Sequence, residues 1–267
     1  MLILGYLSAI VIGICLGLVG GGGSILTIPV LVYLFNFSPE IATSYSFFIV
    51  CVTSLVGSIW YVEHNLICYK SVVLFGLPSL FMVYITRKFI FPSIPADVHI
   101  LFMSVHKDVF LMLLFSLVMI GAAYTMIKPP KSIRPDDYVS DKRYNFLLTL
   151  LGGILVGFVS GLLATGGGFL IIPALIIFSR MGMKIAIGTS LMIITANTLI
   201  GFLSDLHLDI PLNWPMLIGF TLLSVAGILA GMQFSKRVEG YKLKPAFGWF
   251  ILALATFIIS QFLVVSL

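Results

Sequence analysis

Charge is what this chain has least of. Of its 267 residues, 9% are Asp, Glu, Lys or Arg, against about 25% in a typical soluble domain. No charged residue occurs from Met1 to Phe37 or from Ile41 to Val62. That scarcity excludes a water-soluble globule. No Lys or Arg precedes Lys70, so the N-terminus lacks the basic n-region of a removable signal peptide, and it lacks a small-residue cleavage site as well. Cysteine is scarce too. Cys15, Cys51 and Cys68 are odd in number and without ligand spacing, which excludes a disulfide framework or a metal centre built on them. No histidine lies inside an apolar run, since His64, His99, His106 and His207 fall in loops or at their edges. An intramembrane serine hydrolase would need such a base beside its nucleophile.

What the chain has in quantity is apolar residues: 60% of the total, with a mean hydropathy of +1.16. Runs of about 20 apolar residues are long enough to cross the hydrocarbon of a bilayer as helices. The sequence therefore reads as an all-α polytopic membrane protein. Its net charge of +5 sits in short segments between apolar runs, where it sets topology rather than binding nucleic acid.

A repeat organises the chain. Gly17-Leu18-Val19-Gly20-Gly21-Gly22-Gly23-Ser24-Ile25-Leu26-Thr27-Ile28-Pro29-Val30-Leu31 returns 144 residues later as Gly161-Leu162-Leu163-Ala164-Thr165-Gly166-Gly167-Gly168-Phe169-Leu170-Ile171-Ile172-Pro173-Ala174-Leu175, with eight of fifteen positions identical. The register continues through Ile41-Ala42 with Ile185-Ala186, Ser46 with Ser190, and Gly57 with Gly201. The protein is read as a duplication.

Apolar segments are expected at about 2–19, 24–35, 41–61, 71–86 and 109–127 in the first half, and at about 144–164, 169–179, 185–204, 214–235 and 245–263 in the second. Residues 1–127 form the first repeat, with a hydrophilic insert at 87–108. A polar, proline-bearing linker at 128–143 is expected on the cytoplasmic side, and 144–267 form the second repeat. If each glycine-broken pair (2–35 and 144–179) crosses once, there are eight spans, the halves are parallel and the basic residues divide almost evenly. If each pair enters and returns, every Lys and Arg except Arg87, Lys88 and Lys107 falls on one face. The second arrangement obeys the positive-inside rule far better. It makes the halves inverted repeats, a design common in secondary transporters.

Tetraglycine is costly in hydrocarbon unless it is used, because glycine is a poor helix former and unwound backbone survives at membrane depth only inside protein or beside a wet cavity. The segments after both runs begin there, so their unpaired N–H groups and the positive ends of their dipoles point back at the glycines. Two such ends facing one another make an anion site without a basic side chain. Every charged residue and every histidine reads as lying in a loop or at a segment end, leaving no buried cation and no buried carboxylate for Na⁺ or H⁺. Candidate substrate-binding residues are Gly21, Gly22, Gly23, Ser24, Ser46, Thr165, Gly166, Gly167, Gly168, Thr189, Ser190 and Asn197. The alternative for each hydroxyl is a bond to its own helix backbone. Glycines at four-residue spacing (Gly13 and Gly17; Gly153, Gly157 and Gly161; Gly227 and Gly231) read as helix-packing positions. Glu63-His64 and Asp205-Leu206-His207-Leu208-Asp209 are expected as loop charges, with gating or proton transfer as the sharper alternative. The first run is neither a P-loop nor a dinucleotide fingerprint, lacking the Gly-Lys-Ser/Thr of the one and the βαβ context of the other.

With these motifs the chain resembles the TauE/SafE family of sulfite exporters. The paired Gly17–Pro29 and Gly161–Pro173 motifs carry the resemblance, together with Ala186-Ile187-Gly188-Thr189-Ser190-Leu191 and the two-half layout. It departs from the pattern at Ala42-Thr43-Ser44-Tyr45-Ser46 and at Phe91–Asp97. The resemblance implies a bacterial or archaeal inner-membrane carrier of a sulfur-containing anion such as sulfite, thiosulfate or an organosulfonate. The expected partners are that small inorganic or organosulfur anion and the lipid bilayer, with a homodimer an open option. No cofactor, catalytic residue, metal or nucleic acid is expected. A passive anion channel, a carrier of a different small anion, and a membrane enzyme or scaffold are the alternatives.

Overall fold

The computed structural model describes residues 2–93, 97–100, 103–127, 146–163, 168–179, 181–205, 213–237 and 240–266. The described residues form ten helices: α1 (Leu2–Val19), α2 (Gly22–Phe35), α3 (Pro39–Glu63), α4 (residues 69–93), α5 (Lys107–Ile127), α6 (Phe146–Leu163), α7 (Gly168–Phe178), α8 (Met183–Asp205), α9 (Trp214–Arg237) and α10 (Gly240–Ser266). Four of them contain stretches long and apolar enough to cross a membrane, at Ile41–Glu63, Tyr69–Ile90, Met183–Asp205 and Trp214–Ser235, and shorter apolar helices accompany them. The chain is a multi-pass helical membrane protein. The expected linker at 128–143 lies outside the described residues.

Local chemistry explains the boundaries. Asn36 ends α2 in the left-handed region (φ 54°), with its amide on the Leu31 carbonyl, an αL cap. Ser38 caps α3 by accepting from the Ile41 amide at 3.5 Å, and Pro39 follows where its missing N–H does no harm. At the junction of α1 and α2, Gly20 adopts φ +77°, which a side chain would resist.

Glycines lie where helices approach one another. A Cβ on Gly13 would fall 2.8 Å from Ile228 N and one on Gly17 2.8 Å from Met232 N, so α1 runs parallel to α9 with backbones nearly touching. Gly157 and Gly161 of α6 meet Ser79 and Thr86 of α4 in the same way, each with a Cβ position 2.7 Å from its neighbour. The first helix of each half thus packs on the fourth helix of the other half. Phe35, at the end of α2, packs on Gly5 and Tyr6 at the start of α1. Phe178, at the end of α7, packs on Gly152 of α6.

Helices α3 and α8 form the centre and run antiparallel. Phe48 meets Phe202 (ring centroids 5.3 Å), the Cys51 thiol reaches the Thr195 carbonyl at 3.8 Å, and the Ser54 and Thr195 hydroxyls are 2.9 Å apart. Further along, Gly57 faces Leu191 and Tyr61 packs on Gly188. Cys51 and Thr195 are themselves separated by the 144 residues of the repeat.

Three features depart from the sequence reading. Helix α4 continues through Arg87 to Ser93, and two π-helical stretches, Val72–Gly76 and Thr86–Ile90, interrupt its α-helical winding. Asp97–Ile100 and Met103–His106 pair as a short antiparallel ribbon, so the fold is not wholly α. Arg87 and Asp205, expected clear of the interior, are buried and paired with each other at 3.3 Å. The extra residue in a π turn changes the direction in which a side chain leaves the helix. A buried guanidinium needs an acceptor, and the last residue of α8 supplies it.

Candidate functional site

The two glycine runs meet inside the protein. A Cβ on Gly168, the first residue of α7, would fall 2.9 Å from Gly21 Cα and 3.0 Å from Gly21 O. Gly21 immediately precedes α2, and neither α2 nor α7 carries an acidic residue in its first turn. Two helix N-termini, whose first-turn N–H groups find no acceptor within their own helix and which carry partial positive charge, therefore converge on one place. Any side chain at Gly168 would hold them apart.

One face of α8 backs this meeting point. A Cβ on Gly20 would fall 3.1 Å from Ile187 Cα, and the Ser190 hydroxyl lies 3.5 Å from the Gly20 carbonyl while bonding Ile187 O at 2.8 Å. Ile194 Cδ1 lies 2.8 Å from the Gly168 Cβ position. One turn on, Asn197 Nδ2 donates to Ser79 Oγ at 2.8 Å, and its Oδ1 is buried without a hydrogen-bond partner. Ile187, Ser190, Ile194 and Asn197 follow helical spacing and form a single stripe.

The structure thus brings together Gly21, Gly168 and Ser190 of the candidate residues, with Asn197 beside them. Gly22 and Gly23 form the first turn of α2. Ser46, the repeat counterpart of Ser190, is 1% exposed and its hydroxyl has no hydrogen-bond partner. Thr189 is buried elsewhere, accepting from the Cys68 amide at 3.0 Å. Thr165, Gly166, Gly167 and the Ser24 side chain lie outside the described residues. Gly20, Ile187 and Ile194 were not among the candidates. Gly20 belongs to the first run, and the two isoleucines stand three before and four after Ser190, so helical spacing from that serine would have found them.

Several other hydroxyls bond their own helix backbone. Thr53 bonds Ile49 O, Thr195 bonds Leu191 O and Thr198 bonds Ile194 O, at 2.7, 2.8 and 2.7 Å. Of the loop constellations, Glu63 and His64 are exposed, and the His64 ring stacks on Trp60 at 4.0 Å. Asp205 is no loop charge but the partner of Arg87. His207 and Asp209 lie outside the described residues.

The family model "Sulfite exporter TauE/SafE" matches residues 5–258. The chain belongs to the TauE/SafE family. It is similar to a "probable membrane transporter protein" of Xylella fastidiosa (strain Temecula1), with 30% identity over 251 residues that cover 93% of this chain and 91% of the relative. YunE of Bacillus subtilis, also named a probable membrane transporter protein, is 26% identical over 78% of this chain and 81% of its own length. A namesake from Methanocaldococcus jannaschii is 26% identical over 82% and 78% respectively. As a TauE/SafE member of this shape, the protein is a membrane transporter.

Proposed function

We propose that this protein is a secondary carrier of a small sulfur-containing oxyanion such as sulfite, thiosulfate or an organosulfonate, in the inner membrane of its cell. The anion is held between the N-termini of α2 and α7. The observation that carries the reading is the contact of Gly21 with Gly168. Two positive helix ends meet there, and the described side chains around them are apolar, hydroxyl-bearing or, at Asn197, an uncharged amide. A monoanion or dianion gains backbone donors from both halves at once, and a neutral solute gains little.

Inverted halves and re-entrant glycine turns belong to the same reading. Helices α3 and α8 occupy equivalent places in the repeat, pack antiparallel, and touch through the equivalent residues Cys51 and Thr195. A two-fold axis perpendicular to both helices generates that arrangement. The 14 residues of α2 and 11 of α7 reach roughly 21 and 17 Å at about 1.5 Å per residue. Both fall short of the ~30 Å hydrocarbon layer and suit a hairpin that turns back. One half rocking against the other would expose the glycine site to each side in turn.

The test is thermal stabilisation of the purified protein by sulfite, thiosulfate, sulfate and a short sulfonate, with Gly23→Leu and Gly167→Leu in parallel. Stabilisation by a sulfur anion that both substitutions abolish, while the proteins remain folded, is expected. Stabilisation that survives both would return the glycine runs to a packing role.

A further inference from the structure

A buried ion pair closes one end of the α3–α8 pair. Asp205 Oδ2 accepts from Arg87 Nη2 at 3.3 Å and from Ser44 Oγ at 2.6 Å. The Arg87 and Asp205 side chains are 3% and 5% exposed. The guanidinium carbon lies 4.9 Å from the Phe47 ring centroid and 4.5 Å from that of Phe91. Arg87 comes from the π turn of α4, Ser44 and Phe47 from α3, and Asp205 from the end of α8. The donors therefore belong to the first half and the acceptor to the second.

The other end of the α3–α8 pair is closed differently. The repeat counterparts of Asp205 and Ser44 are Tyr61 and Gly188. There the Tyr61 ring packs on Gly188, whose Cβ position would fall 2.8 Å from Tyr61 Cδ1. Of these four positions, only Asp205 is charged.

One carboxylate oxygen accepting from a guanidinium and a hydroxyl together is held as an oxyanion's oxygen would be. We propose that Arg87 and Ser44 form a second oxyanion subsite, filled in this structure by the carboxylate of Asp205, which the transported anion replaces when that end opens. The proposal rests on the carrier reading above. Separating the halves takes Asp205 away from Arg87 and Ser44, so a buried guanidinium loses the negative charge of one carboxylate, which is unfavourable. An incoming oxyanion restores that charge, so opening at this end follows anion binding. The Tyr61 end carries no such requirement.

Calorimetric titration with sodium sulfite at fixed ionic strength tests this, using wild type, Asp205→Asn, and Asp205→Asn combined with Arg87→Gln. Removing the resident carboxylate should tighten sulfite binding at least tenfold, and Arg87→Gln should cancel the gain. The proposal is overturned if Asp205→Asn binds no tighter than wild type, or if the gain persists without Arg87. The doubly neutral variant controls for folding, and Asp205→Ser replaces Asp205→Asn if the latter misfolds. Adding Gly168→Leu to Asp205→Asn separates the two readings. A sulfite response lost with Arg87→Gln but kept with Gly168→Leu leaves the subsite and sinks the glycine site; the converse sinks the subsite.

Discussion

Adding one methyl group at Gly168 should measure what the meeting of the glycine runs contributes. In Gly168→Ala the new Cβ would sit 2.8 Å from Ile194 Cδ1, 2.9 Å from Gly21 Cα and 3.0 Å from Gly21 O. The isoleucine methyl is the end of a flexible side chain and can yield. Gly21 is backbone and cannot turn aside. Restoring ordinary carbon contact at about 3.5 Å therefore moves the start of α7 away from Gly21 by roughly half an ångström. Overpacking of this kind costs about 1–3 kcal/mol. The same shift lengthens one set of donor distances to a shared anion from about 2.9 Å toward 3.4 Å, where an N–H···O bond is largely lost. A loss of about 1.4 kcal/mol is tenfold in affinity. Gly121→Ala in α5 is the control, because among the described residues no atom beyond its own stretch of helix lies within 4 Å of its Cβ position. It should leave sulfite affinity unchanged and, if anything, strengthen the helix by up to about 1 kcal/mol. Melting curves with and without sulfite report both quantities. If Gly168→Ala melts lower yet binds sulfite like wild type, the runs touch but do not bind, and the reasoning fails.

Other consequences follow from the same geometry. Ser46→Ala removes a buried hydroxyl without a partner, so stability should hold or rise by up to about 1 kcal/mol while anion affinity falls; unchanged affinity would remove Ser46 from the site. Reporter tags after Phe37 and after Gly182 should map to opposite sides of the membrane, and tags on one side would refute inversion. Gly157→Leu drives a side chain into the α4 backbone at Ser79, so it should abolish folded protein on size-exclusion chromatography, whereas Gly182→Leu, with no described atom beyond its chain neighbours within 4 Å of the Cβ position, should not. Ser38→Ala removes the cap of α3 and should cost about 1 kcal/mol, read as a lower melting temperature without a change in affinity.

The helical plan was legible because membrane segments announce themselves through unbroken apolar runs. Each of the ten expected segments matches a described helix, although several helices extend into flanking residues. The packing glycines were legible from four-residue spacing. Arg87 and Asp205 were not. Arg87 stands beside Lys88 and reads as the end of a span, Asp205 opens a polar stretch, and their bond joins residues 118 positions apart. The π turn that carries Arg87 has no signature in a pattern of period 3.6. The ribbon did leave a signal, since Asp97-Val98-His99-Ile100 and Met103-Ser104-Val105-His106 alternate polar and apolar residues, but eight residues amid prolines and histidines resemble a loop. At the site, the runs themselves were visible as a repeat. Their contact, and the α8 stripe behind them, depend on tertiary packing that spacing within one segment does not encode.

Counterflow in proteoliposomes tests the central claim most directly. Vesicles loaded with unlabelled sulfite and diluted into labelled sulfite should accumulate label transiently and saturably with wild type, and not with Gly23→Leu. Anion conductance without counterflow would make the protein a channel. An absence of flux for sulfite, thiosulfate and sulfonate alike would contradict the proposal that it carries a sulfur oxyanion.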